Sequence, residues 1–153
     1  MKVVGYTYDA AMHCPDCTKK YIIEHFPETE KIIDSIMGGW IESSDYDIVD
    51  SENNAIHPAF DTDDAGDTPD HCDDCGAFID TSWHGETVNY AIAALGDYVI
   101  DAMQGIKVRT QQETLDTWNE HLQWCGVDVQ DKLVMDLYTV TRQKEVEYEL
   151  SSN

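Results

Sequence analysis

Two short segments, His13-Cys14-Pro15-Asp16-Cys17 and His71-Cys72-Asp73-Asp74-Cys75, constrain this chain more than any other feature. Each is a Cys-x-x-Cys knuckle, and together they supply four thiols. Two such pairs have the count and spacing of a tetrahedral zinc site, with Cys14, Cys17, Cys72 and Cys75 as ligands. A shared ion forces a non-local fold, because the amino terminus must meet a segment more than fifty residues downstream. That separation is permissible, since the entropy cost of closing a loop grows only logarithmically with its length. Four sulfurs leave no open coordination position, so the expected zinc is structural. Neither pair lies in a βαβ pattern, which argues against a thioredoxin-like dithiol.

The fifth cysteine, Cys125, lies in Trp124-Cys125-Gly126 and reads as a small hydrophobe at a helix end. Four thiols on zinc and one buried suit a reducing compartment. The chain starts without the long apolar run of a signal peptide, and no stretch approaches the ~18 apolar residues of a membrane span. The expectation is a cytoplasmic protein with no membrane contact, or one in the host cytoplasm if the chain is viral.

His13 and His71 each precede a knuckle and are candidates to hydrogen-bond a metal-bound thiolate from the second coordination sphere. The simpler expectation is that both are partly exposed surface residues. His57 and His84 are substitute ligands for which four cysteines leave no vacancy. His25 and His121 fall on predicted helices as packing or surface residues.

Charge is the second constraint. The chain has 31 acidic and 9 basic residues, a formal net charge of −22. No Lys or Arg occurs between Lys31 and Lys107, an interval of 75 residues with 17 Asp or Glu. Such a chain repels nucleic acid and anionic membranes and attracts cationic surfaces. The implied partner is a basic protein surface, met by the acidic stretch from Glu42 to Asp80, with Asp61, Asp63, Asp64 and Asp67 at its centre. The alternative is a solvated, salt-adapted surface with no charge-based partner.

Enzyme signatures fail on inspection. His84-Gly85-Glu86 follows Cys72-x-x-Cys75, whereas the zinc deaminase pattern places His-x-Glu first and a Pro before the cysteines. Asp61-Thr62-Asp63-Asp64-Ala65-Gly66 begins like a calcium loop, but Ala65 and Cys72 stand where a ligand and the closing Glu are needed. No Gly-rich phosphate loop or nucleophile elbow is present, and no catalytic residue is assigned. The enzyme alternative is a metal-dependent reaction using the acidic middle region.

Local patterns predict a strand over Val3 to Tyr8. A helix from Lys19 to Phe26 follows, capped by Thr18, and then a short helix from Glu28 to Met37 with Ile32, Ile33 and Ile36 on one face. Trp40-Ile41 and Tyr46 to Val49 read as strand material, and Ala55 to Phe60 as a return strand placed at a sheet edge by Pro58. A further strand is expected over Ala77 to Trp83. Three helices follow. The first runs from Thr87 to Met103, with Val88, Ala91, Ile92, Leu95, Val99 and Met103 inward. The second runs from a Thr110 cap to Trp124, with Leu115, Trp118 and Leu122 inward. The third is capped by Asp128, with Leu133, Val134, Leu137, Tyr138 and Val140 apolar, and frays from Glu145 to Tyr148.

Several ordered motifs carry a resemblance. They are Ala11-Met12-His13-Cys14-Pro15-Asp16-Cys17-Thr18, Val49-Asp50-Ser51-Glu52-Asn53, His57-Pro58-Ala59-Phe60, His71-Cys72-Asp73-Asp74-Cys75-Gly76 and Leu115-Asp116-Thr117-Trp118. Over roughly residues 5 to 125 the chain resembles small zinc-ribbon-type proteins of uncharacterised function encoded in bacteriophage genomes. The resemblance implies zinc and a viral origin, and no activity. The expected fold is α+β. A zinc-ribbon-like core of short antiparallel strands spans residues 1–86, with an acidic insertion between the knuckles. A helical segment of about three helices over 87–153 packs on it.

Overall fold

The protein is a mixed α+β chain that divides into two compact units, Met1–Ala65 with Pro69–Ser82, and Gly66–Thr68 with Trp83–Asn153. The structure is a computed structural model and describes residues 1–38, 41, 47–106 and 111–152. The strand expectations at Trp40 and Tyr46 and the Thr110 cap lie outside those residues.

The first unit is built on a three-stranded antiparallel sheet of β1 (Val3–Tyr8), β2 (Ala11–His13) and β3 (His57–Phe60), in the order β2-β1-β3. Strand β3 is an edge strand, the place where Pro58 is tolerated. Strand β2 is not legible in the sequence. Its two-residue connection, Asp9-Ala10, has φ of 48° and 57°, the left-handed pair that a tight hairpin requires. Ala pays a steric penalty there that Gly or Asn would not. The turn is held from outside: Asp9 accepts the Ser51 N–H at 2.9 Å and the Ser51 hydroxyl, and its own N–H donates to Asp50 at 3.1 Å.

Asp50 also accepts from the N–H groups of Asn54 and Glu52, at 2.8 and 2.9 Å. The Asn54 N–H contributes most to holding its carboxyl below the ordinary Asp range, against the opposing effect of burial. This turn therefore adds stability above the ordinary Asp range and loses it as pH falls through the lowered value.

Helix α1 (Pro15–His25) lies along the sequence after β2 and buries Thr18 and Ile22. It begins four residues before the expected start. Cys14, not Thr18, is its N-cap, and Thr18 donates back to the Cys14 carbonyl at 2.9 Å. Pro27 ends the helix by restricting Phe26, and a 3-10 turn (Pro27–Ile32) leads into α2 (Ile33–Gly38). The core joins Tyr6 and Tyr8 of β1 to Ile22, Ile33, Ile36, Ile41, Ile48 and Ile56. Ile32, expected on the same face as Ile33 and Ile36, points outward. Residues 77–83 form no continuous strand, only isolated bridges His71–Phe78 and Asp64–Ser82.

Gly5 fixes how closely β1 approaches the end of β2. A Cβ at this position would stand 2.9 Å from the His13 carbonyl oxygen and 3.4 Å from the Ile79 side chain. Because the nearer atom is backbone, Gly5→Ala must displace the strand that leads into Cys14. We expect a loss of about 1–2 kcal/mol in chemical denaturation. An unchanged midpoint would show that the strands separate without penalty.

The second unit contains α3 (Gly85–Met103), α4 (Gln112–Leu122) and α5 (Val129–Ser151), which bring the described residues to five α-helices. Both α4 and α5 pack on α3. Helix α3 buries Thr87, Ala91, Ile92, Leu95, Tyr98 and Val99, and α4 buries Leu115, Trp118 and Leu122 as its periodicity predicts. Met103, expected inside, is exposed where the helix runs out. Helix α5 is capped by Asp128, whose carboxylate accepts the Asp131 N–H at 2.8 Å. It continues to Ser151 instead of fraying at Glu145, and it buries Met135 and Tyr138 while Leu133, Leu137 and Val140 face outward.

A polar network ties these helices together. Arg142 forks onto Asp116 at 3.1 and 3.0 Å and reaches Glu145 at 3.2 Å. The Tyr138 hydroxyl donates to Asp116 at 2.6 Å, and the Tyr98 hydroxyl donates to Glu145.

Candidate metal centre

The two cysteine pairs sit on unlike elements. Cys14 and Cys17 occupy the N-cap and first turn of α1, with the Cys17 N–H directed at the Cys14 sulfur at 3.4 Å. Pro15 starts the helix there without the loss of a backbone bond, since the first helical N–H has no intrahelical partner. The Cys17 N–H and the positive end of the helix oppose the effect of burial on the Cys14 thiol without overcoming it. Cys72 and Cys75 occupy a tight turn closed by the His71–Phe78 bridge. There the Cys72 N–H donates to Ala77 O at 2.8 Å and the Gly76 N–H to Cys72 O at 2.9 Å. Gly76 has φ of +74°, the conformation that only a residue without Cβ adopts freely.

The fold brings all four sulfurs together, each within 4.8 Å of the others. Cys14 and Cys75 are 3.7 Å apart. A regular tetrahedron with Zn–S arms of ~2.3 Å has edges of about 3.8 Å, so the donors and their spacing fit a zinc ion. Cys14 and Cys72 are buried, Cys17 half-buried and Cys75 exposed. Around them Ile79 is fully buried, with Val4 and Met12 packed alongside, which makes the site a small core of its own.

Electrostatics follow from this crowding. Burial raises the Cys72 thiol, but hydrogen bonds from the backbone of Cys14, Cys75 and Asp74 outweigh it and bring the group down to about 6. Burial pushes Cys14 and Cys17 upward, and the neighbouring sulfurs reinforce the effect at Cys17. Without a cation, one thiolate therefore suppresses ionisation of its neighbours; a divalent ion reverses that balance.

Two contacts clasp the pairs independently of any ion. The Asp73 N–H donates to Met12 O at 2.9 Å. His13 Nδ1 lies 2.9 Å from the Asp74 carboxylate, and its Nε2 lies 3.2 Å from Tyr8 O. His13 is 4% exposed, so the expectation of a partly exposed surface residue is corrected. The ring is needed inside because it spans from β1 to the second knuckle, and both nitrogens are committed to oxygens, not to a sulfur. His13, Cys72 and Asp74 also lie within 4.8 Å of one another, but this trio shares Cys72 with the four-sulfur set. His71 is half-buried, edge-on to Phe78 with ring centroids 5.9 Å apart.

A column of stacked rings runs from the site into α1. His13 stacks on Tyr8 at 3.8 Å, Tyr8 on Tyr21 at 4.7 Å, and Tyr21 on His25 at 4.3 Å. The participation of Tyr8 has no signal in the sequence beyond its strand alternation. Burial, opposed by the Thr18 hydroxyl and reinforced by Asp74, Cys72 and Cys17, raises its phenol above the ordinary tyrosine range and keeps it neutral.

The acidic residues singled out from the sequence do not gather into a comparable site. Asp61 accepts the Lys2 N–H at 2.7 Å, and Asp63 accepts the Phe60 N–H at 2.8 Å, so both carboxylates shape local backbone. Asp64 bridges to Ser82 through backbone, and Asp67 belongs to the second unit.

No protein-family model matches the chain, and no significant match was found among curated proteins or solved structures. Among the described residues, no helix is long and apolar enough to cross a membrane.

Proposed function

We propose that the chain is a non-enzymatic, zinc-stabilised acidic protein that binds a basic protein surface. The observation that carries this reading is the four-sulfur cluster, whose spacing fits one ion and whose donors fill a tetrahedral shell. A filled shell has no place for a substrate or an activated water, so the ion serves as a staple. In this reading the first unit is a zinc-ribbon-like scaffold, of the sort implied by the resemblance to phage-encoded zinc proteins. Its acidic stretch imitates the charge of nucleic acid and occupies a basic groove, as an inhibitor or accessory factor would. A surface pinned by metal loses less entropy on binding than a flexible acidic tail. The chain's net charge of −22 speeds encounter with a cationic partner.

The test is association kinetics with a partner captured from the source cell, measured on zinc-loaded protein. The association rate should fall steeply with added salt. Asn at positions 61, 63, 64 and 67 together should slow association several-fold at unchanged zinc content. Asn keeps an oxygen acceptor, so the Lys2 and Phe60 backbone bonds survive in the variant. Wild-type rates in that variant would reduce the loop to a solvated surface.

A further inference from the structure

We propose that Cys75 is the point at which hydroperoxides oxidise the four-sulfur centre, with Cys14 as the resolving thiol, so that a Cys14–Cys75 disulfide replaces the ion. This modification site rests on the same four sulfurs holding zinc. The four are not equally placed. Cys14 and Cys72 are 8 and 3% exposed, Cys17 is half-buried, and Cys75 alone of the four is exposed. Coordination keeps a cysteine sulfur deprotonated. Cys75 therefore combines thiolate character with access, the two conditions for oxidation by peroxide.

Distance and burial select the second sulfur. Cys14 Sγ lies 3.7 Å from Cys75 Sγ. It is too buried to meet the oxidant first, yet close enough to attack an oxidised neighbour. The two belong to different knuckles, 61 residues apart. Contacts other than metal hold those knuckles together: the Asp73 N–H on Met12 O at 2.9 Å, and His13 on the Asp74 carboxylate at 2.9 Å. These clasps keep Cys14 beside Cys75 while the shell opens. Charge selects the oxidant. Asp73 and Asp74 directly precede Cys75, in a chain of net charge −22. Anionic disulfides are repelled there, whereas a hydroperoxide is neutral.

In the first step the Cys75 thiolate attacks a peroxide oxygen. An S–O bond forms, the O–O bond breaks, and the leaving oxygen takes a proton from solvent. In the second, the Cys14 thiolate attacks the Cys75 sulfur. The S–S bond forms, the S–O bond breaks, and the departing hydroxide is protonated to water. Each sulfur gives up one electron, and the peroxide takes both. Cys17 and Cys72 then offer half a tetrahedral shell, too little to retain zinc.

The test exposes the zinc-loaded full chain to hydrogen peroxide. A chromogenic chelator reports zinc, and peptide mass spectrometry reports the state of each sulfur. The expected result is one zinc released per disulfide formed, with Cys14–Cys75 as the first cross-link. Dimedone, which traps sulfenic acids, should label Cys75 ahead of the other three. Cys125→Ser should release zinc at the wild-type rate, since that thiol lies outside the cluster. Cys75→Ser removes a ligand together with the modification site, so the deciding measurements use the wild-type sulfurs. A first disulfide within either knuckle, a dimedone adduct chiefly on another cluster cysteine, zinc retained after the centre is oxidised, or release slowed in Cys125→Ser would overturn the proposal and leave the zinc site standing. Protein that holds no zinc before peroxide is added would overturn both.

Discussion

Cys72→Ser is expected to destabilise the first unit by several kcal/mol and to abolish stoichiometric zinc retention, because ion binding and folding are one equilibrium at such a site. Cys72 is buried, its sulfur is one of the four in the cluster, and its carbonyl accepts the Gly76 N–H that closes the turn. Serine keeps the backbone and offers a hard, poor ligand for zinc. Thermal unfolding with and without a chelator should show wild type losing most of its advantage when chelated, and the variant little. Cys125→Ser is the control. Cys125 lies outside the cluster and is half-buried, so its loss should cost less than about 1 kcal/mol. Equal effects at the two positions would mean that the cluster contributes no more than ordinary packing.

Arg142→Met should destabilise the helical unit by about 2 kcal/mol. Arg142 is the cation that faces both Asp116 and Glu145, and its removal leaves two carboxylates beside the Tyr138 and Tyr98 hydroxyls. The loss falls short of the ~3–5 kcal/mol of a fully buried pair, because the Asp116 side chain is 41% exposed and water screens it. Arg142→Lys should recover only part of the stability, since an ammonium cannot fork onto Asp116. Pairing Arg142→Met with Asp116→Asn should cost less than the sum of the single changes. Strict additivity would show that the two side chains do not support one another.

The cysteine spacing carried the candidate metal site because thiol donors are legible by residue type even when they are distant in sequence. The same pattern could not say that the first pair opens a helix. Thr18 is a better cap by residue type, yet Cys14 occupies the cap, and Pro15 and Asp16 fit the first turn behind it. Strand β2 was hidden because Asp9-Ala10 lacks the Gly or Asn that marks a tight hairpin, and its stabilising partners lie more than forty residues away. The inward role of His13 depends on Asp74 and Tyr8, a long-range arrangement with no periodic trace. Helix periodicity found Leu115, Trp118 and Leu122 but not the two-faced character of α5. Apolar residues occur on both of its sides, and the sequence pattern cannot tell which side a neighbour covers.

The central claim is that Cys14, Cys17, Cys72 and Cys75 hold one zinc ion as the structural staple of the first unit. X-ray absorption at the zinc edge, with elemental analysis of the same sample, addresses it most directly. The predicted result is one zinc per chain, surrounded by four sulfurs at ~2.3 Å with no nitrogen or oxygen in the shell. Metal-free folded protein, or a shell with fewer than four sulfurs, would contradict it.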